Sequence, residues 1–148
     1  MTVNVVIRAK RLVTPSRVIS DGVVLVEGER ITAAGDEAEF PVVDGAESRR
    51  CDVLLPGFID LHVHGSHGHA FDGGTAAASS AAQAMAASGV TTCYAGLGAG
   101  SSLEAIAETV ASSAEAVGRD TGGARIAGLF LEGPYISAVR KGAWMAEN

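Results

Sequence analysis

The sequence is short of cysteine, aromatic rings, basic residues and long apolar runs, and each shortage excludes something. Only Cys51 and Cys93 occur among 148 residues, far apart and with no CxxC spacing. A disulfide framework is therefore not expected, and a reducing compartment is the simpler setting. Aromatic residues make up 5% of the chain, too few for a large aromatic binding surface. Eleven Lys and Arg stand against 17 Asp and Glu, which gives a net charge of −6 and a pI near 5.1. A general nucleic-acid binder would carry a basic patch instead. No stretch approaches 18 uninterrupted apolar residues, so no membrane span is expected. The N-terminal MTVNVVIRAKRLVTP has neither an apolar core segment nor a small-residue cleavage site, and a cytoplasmic location is the expectation.

Small residues are what the chain has in quantity. Its 26 Ala and 19 Gly suit helices packed closely on a sheet. With 47% hydrophobic and 19% charged residues it is apolar enough to fold. Its length corresponds to one domain or slightly less.

Two regions are legible, 1–53 and 54–148. The first reads as β. Val3–Arg8 is rich in β-branched residues, and Gly22–Glu27 and Arg30–Ala34 flank Gly28-Glu29 as a hairpin would. Phe40–Asp44 reads as a further short strand. From residue 53 the pattern changes. Val53–Val63 ends in a strand of buried type, a Gly-rich loop covers 65–74, and an Ala-rich helix runs from an N-cap at Thr75 to Ser88. Val90–Ala95 is a second strand. Ser101–Glu104 has capping-box spacing, and Leu103, Ile106, Ala107, Val110, Ala114 and Val117 share a helical face that ends at Gly118. Ala124–Leu131 is a third strand. Strand, helix, strand, helix, strand means parallel β/α units. A closed (β/α)8 barrel needs about 250 residues. The 95 residues of 54–148 are thus either a small open α/β sheet or the first part of a barrel.

Chemistry concentrates at two strand ends. In His62-Val63-His64 the imidazoles lie two residues apart on a strand and point to the same side. They can converge on one metal ion, or they are two exposed histidines. Asp60 shares their parity and either orients a ligand or faces a neighbouring strand. Glu132 follows the apolar Leu129-Phe130-Leu131 and precedes a Gly-Pro turn. It is a loop carboxylate or a ligand at the active end of the sheet. If the strands form a parallel barrel, the first and third contribute to one layer at the C-terminal rim. His62, His64 and Glu132 then form a zinc-type set with open positions. His67 and His69 read as solvated loop histidines, and Cys93 as a core thiol. Arg140 and Lys141 are solvated charges or contacts for an anionic group. Gly142 lets the Ala143 amide approach a ligand.

The string Leu55-Pro56-Gly57-Phe58-Ile59-Asp60-Leu61-His62-Val63-His64-Gly65 resembles the signature of the amidohydrolase superfamily. The β segment around Gly22–Ile31 resembles that superfamily's N-terminal sheet. Leu129–Ile136 followed by Arg140-Lys141-Gly142-Ala143 is more selective and resembles the N-acetylglucosamine-6-phosphate deacetylase family. The likeness runs through essentially all 148 residues.

That resemblance implies a fold of the α/β class. The chain would hold the first three strands and two helices of a (β/α)8 TIM barrel, with an N-terminal β-sandwich subdomain. It implies a metal-dependent hydrolase of C–N bonds that removes acetate from an amino-sugar phosphate, with one or two divalent ions, most simply Zn2+. His62, His64 and Glu132 take metal-ligand positions. Some family members lack the two histidines and use a single metal. Ala143 takes a substrate-binding position, and Trp144 stands where many relatives have His. The acid–base Asp is expected beyond residue 148, so the chain reads as an N-terminal fragment, inactive alone and homodimeric when complete. The alternatives are another amidohydrolase acting on a cyclic amide or N-acyl substrate, and a non-catalytic truncated module.

Overall fold

The structure is a computed structural model that describes residues 3–40, 43–98, 100 and 102–142. Two compact units divide the chain, Met1–Pro56 and Gly57–Asn148.

The first unit is a four-stranded sheet in the order β3-β2-β1-β4. It comprises β1 (Val5–Val13), β2 (Val18–Glu27), β3 (Arg30–Asp36) and β4 (Glu47–Leu54). The expected hairpin is present, with Glu27 opposite Arg30. Gly28 turns the chain at φ +57°, where a side chain would be strained, and its N–H donates to Asn4 Oδ1 at 2.7 Å. The sheet buries small apolar clusters on its two faces. Val6, Val23 and Leu25 form one, and Leu12, Ile19 and Val24 form the other.

One expectation fails here. Residues 37–39 form a 3-10 turn capped by Asp36, and Phe40, Val43 and Asp44 are not in a strand; 41 and 42 lie outside the described residues. The fourth strand is instead Glu-Ser-Arg-Arg-Cys-Asp-Val-Leu, which pairs in parallel with β1. Its side chains are mostly exposed, so no apolar alternation announces it. The segment 53–63 ends in a strand, as expected. β4 ends at Leu54, Pro56-Gly57 interrupts, and a new strand starts at Phe58.

The second unit is a parallel sheet in the order β5-β8-β9, made of β5 (Phe58–Val63), β8 (Val90–Leu97) and β9 (Arg125–Leu131). A two-stranded hairpin, β6 (Gly65–Ser66) and β7 (His69–Ala70), follows β5. Helix α1 (Gly74–Ala87) buries Ala78, Ala81, Ala82 and Met85, an i, i+3, i+4, i+7 stripe. These small side chains let the helix lie close to Cys93, Ala95, Leu97 and Ile126, with Phe71 completing the core.

Thr75 is inside this helix rather than at its cap. Gly73 holds the N-cap without a side-chain bond, and the Thr75 hydroxyl donates to Ser112 O at 3.2 Å. Helix α2 (Leu103–Ala114) is capped by Ser102, whose Oγ accepts from Ala105 N. It ends before the expected Gly118. Its buried side chains are Ile106 and Ser113, while Leu103 is exposed. Ser113 escapes an apolar count yet is buried because its hydroxyl donates to Phe71 O at 3.0 Å. β5 is not buried as expected. It is an outer strand of its sheet, and Phe58, Ile59 and Leu61 are exposed.

Candidate metal centre

The sheet of the second unit has one face against the helices and one face that, among the described residues, no helix covers. Cys93, Ala95 and Leu97 point to the helices. Residues of opposite parity on β8, Tyr94 and Gly96, line the other face. A register shift after Cys93 sets Gly128 beside Tyr94 and Phe130 beside Gly96. Gly96 and Gly128 leave room there. A Cβ at Gly128 would stand 2.8 Å from the Tyr94 ring, and one at Gly96 would stand 3.1 Å from His64.

His62 and His64 stand at the C-terminal end of β5 on this face, and Glu132 follows the end of β9. With β8 between their strands, the three side chains meet. His64 Nε2 is 3.1 Å from Glu132 Oε2, His62 Nε2 is 4.0 Å from the same oxygen, and the two imidazole Nε2 atoms are 3.3 Å apart. All three donor atoms lie within 4.8 Å of one another. Two imidazole nitrogens and a carboxylate oxygen at these separations are a donor set suited to a cation. The set fits a borderline-soft divalent ion of the zinc type, which takes nitrogen and oxygen donors.

Supporting contacts fix the donors. The Phe130 ring tilts against His62 with centroids 4.4 Å apart. Asp60 accepts from the backbone N–H of His62 at 3.1 Å. It thus orients the strand end rather than a ring nitrogen. The N–H of Phe71 donates to His64 O, and that of Glu132 donates to Leu97 O, each at 3.0 Å. The Asp60 carboxylate also helps burial push the Cys93 thiol up from its ordinary range, burial being the larger cause.

A cavity of about 670 Å³ opens beside the triad. His64 and Glu132 form one part of its wall, and Arg140, Lys141 and Gly142 another. Arg140 ends a 3-10 turn, Ala138–Arg140. Asp72 and Thr109 also line the cavity and went unmarked in the sequence, since neither belongs to a recognisable spacing. His67 and His69 stay apart from the triad. His67 sits in the β6–β7 turn with its Nδ1 2.8 Å from Ser66 Oγ, and His69 is exposed. Ala143 lies outside the described residues.

No family model matches the chain. Known proteins do. A solved N-acetyl-D-glucosamine-6-phosphate deacetylase from Mycobacterium smegmatis superposes with a TM-score of 0.75 at 28% identity, over 95% of this chain and 38% of that one. The N-acetylgalactosamine-6-phosphate deacetylase of Escherichia coli O157:H7 is 31% identical over 144 residues, 93% of this chain and 35% of the relative. An imidazolonepropionase of Hyphomonas neptunium is 32% identical over 104 residues, 63% of this chain and 26% of the relative. The chain thus spans about a third of the length of the curated relatives it matches. The proteins it resembles along nearly its whole length are hydrolases of C–N bonds, and the chain belongs to the amidohydrolase superfamily.

Proposed function

We propose that this chain forms the opening part of a (β/α)8 barrel in a metal-dependent deacetylase, and that His62, His64 and Glu132 hold its divalent cation. One observation carries the reading: two histidines and a carboxylate from separate strands bring their donor atoms within 4.8 Å beside a cavity that also has Arg140 and Lys141 in its wall. The substrate class that fits is an N-acetylated amino-sugar phosphate. The cationic wall attracts its anionic group, and the triad faces the amide.

When bound, a zinc-type cation supplies Lewis acidity toward an amide carbonyl and acidifies water. The protein's own part is positional. Two neutral imidazoles and Glu132 offer three donors and leave open positions. Phe130 and Asp60 hold the β5 side of the site. Arg140 and Lys141 provide charge at a distance from the donors. Ala143, next after Gly142, is the proposed backbone contact to the sugar. The acid–base group is proposed to lie beyond residue 148.

A second reading is supported by the imidazolonepropionase match: hydrolysis of another C–N bond at the same three ligands. The deacetylase reading is preferred because deacetylase matches run through 93–97% of the chain, against 63% for imidazolonepropionase.

The test is metal content after Zn2+ loading and dialysis, for the parent protein, Glu132→Gln and His62→Gln. Expected is bound metal in the parent and its loss in Glu132→Gln, because the substitution removes the charged donor. Metal retained at parental stoichiometry in Glu132→Gln refutes the site. Acetate release from N-acetylglucosamine 6-phosphate by a chain extended to its relatives' length then separates the two readings.

A further inference from the structure

Gly96 lies on β8 where the His64 ring comes nearest. A Cβ built there would stand 3.1 Å from both Cε1 and Nδ1 of His64, and 3.1 Å from the carbonyl oxygen of Val63. Gly96 is not among the glycines at positive φ, so its backbone conformation is open to any residue. What a side chain would meet is the ring and, equally closely, the Val63 carbonyl oxygen. Non-bonded carbon contacts are optimal at about 3.5–4.0 Å, so a methyl group at 96 makes the imidazole retreat by a few tenths of an ångström. A shift of that size is comparable with the window of about ±0.2 Å within which metal–ligand distances fall.

His64 is half exposed and borders the cavity, so its ring can yield to a methyl group at 96, and any such movement changes its distances to the other two donors. Its Nε2 is already 3.1 Å from Glu132 Oε2 and 3.3 Å from His62 Nε2. Its backbone carbonyl is tied to Phe71 N at 3.0 Å. His62 is set from another side, by the Phe130 ring. The two imidazoles therefore have different supports, and that of His64 is the absence of a side chain.

We propose that Gly96 is a positioning residue: its missing side chain sets the angle of the His64 imidazole, and so how tightly His62, His64 and Glu132 grip a divalent cation. The inference rests on the metal reading above.

The experiment is a Zn2+ competition titration with Co2+ absorption spectra, on the full chain, for Gly96→Ala, His64→Ala and the double variant. Partners that orient metal ligands typically contribute 10–100-fold in affinity. Expected is a loss in that range for Gly96→Ala with an altered Co2+ spectrum. In the His64→Ala background the same substitution has no further effect, because no ring remains to be pushed. Parental affinity and spectrum in Gly96→Ala overturn the proposal, and so does an equal loss in both backgrounds. If Gly96→Ala alone fails to fold, the double variant decides. Recovery of the fold on removing the ring supports the contact, whereas continued misfolding assigns it to Val63 O and overturns the proposal. Glu132→Gln serves as the separate control. If it keeps its metal the site itself is wrong, while if it loses metal and Gly96→Ala does not, only the role of Gly96 falls.

Discussion

Replacing Phe71 with Ala should strike the fold of the second unit and the proposed metal site together. The ring is fully buried among Ala78, Ala81, Leu97 and Ile126. An aromatic side chain buries about 150–250 Å², and at about 25 cal/mol per Å² its removal costs about 4–6 kcal/mol before the remaining methyl group is credited. Measured Phe→Ala changes in cores fall at about 3–5 kcal/mol. Native stabilities are about 5–15 kcal/mol, so the loss is about a fifth of the total or more. The same residue ties two parts of the unit through its backbone: its N–H donates to His64 O, and its carbonyl accepts from Ser113 Oγ. A loosened residue 71 therefore releases the end of β5 that carries the histidines. The assay is urea denaturation with peptide-resolved hydrogen exchange. Expected is a stability loss of about 3–5 kcal/mol, with protection lost in α1, β8 and β9 and kept in β1 and β2, whose cores are their own. Zn2+ affinity should fall in the same variant. A loss under about 1 kcal/mol would show that the cavity collapses freely and that the packing argument is wrong.

Two further outcomes follow from other parts of the structure. The raised Cys93 thiol stays protonated in the native state where the unfolded thiol, near pH 8.5, has ionised. Its contribution to stability is full below that pH and lost as pH rises above it; urea midpoints between about pH 7.5 and pH 9.5 should fall less in Cys93→Ala than in the parent. The exposed Ile59 and Leu61 of the outer strand β5 favour association at that edge. Sedimentation velocity should show fewer oligomers for Leu61→Lys, and an unchanged distribution would exclude this edge as the contact.

How far the sequence revealed the molecule depended on which signal each segment carried. The hairpin about Gly28, the three parallel strands and both helices were legible because β-branched runs, alanine periodicity and glycine stops are local signals. β4 was hidden, since a strand with mostly exposed side chains needs no apolar alternation; it is held by its backbone pairing with β1. The burial of β5 was overestimated because Phe58, Ile59 and Leu61 read as core, whereas an outer strand leaves them exposed. The His-x-His pair and Glu132 were legible as strand-end residues 68 positions apart. Their meeting depended on the order β5-β8-β9, which the β/α alternation made the natural arrangement. Asp72, Thr109 and the void at Gly96 were not legible. Each owes its place to tertiary packing, and a missing side chain says nothing until its neighbour is known.

The pairing of β5 with β8 is uneven. Phe58, Ile59, Asp60 and Val63 have partners in register, but shifts fall after Phe58 and between Asp60 and Val63, so Leu61 and His62 have no partner in that ladder. The segment presenting the His62 nitrogen is thus irregularly paired with its own sheet, and irregularly paired segments open more readily. Anything that joins His62, His64 and Glu132 also laces β5 to β9 across β8. Occupancy of the centre and closure of the strand become a single linked equilibrium, in which ligand affinity includes the work of ordering β5 and the strand's protection rises with the ligand's concentration.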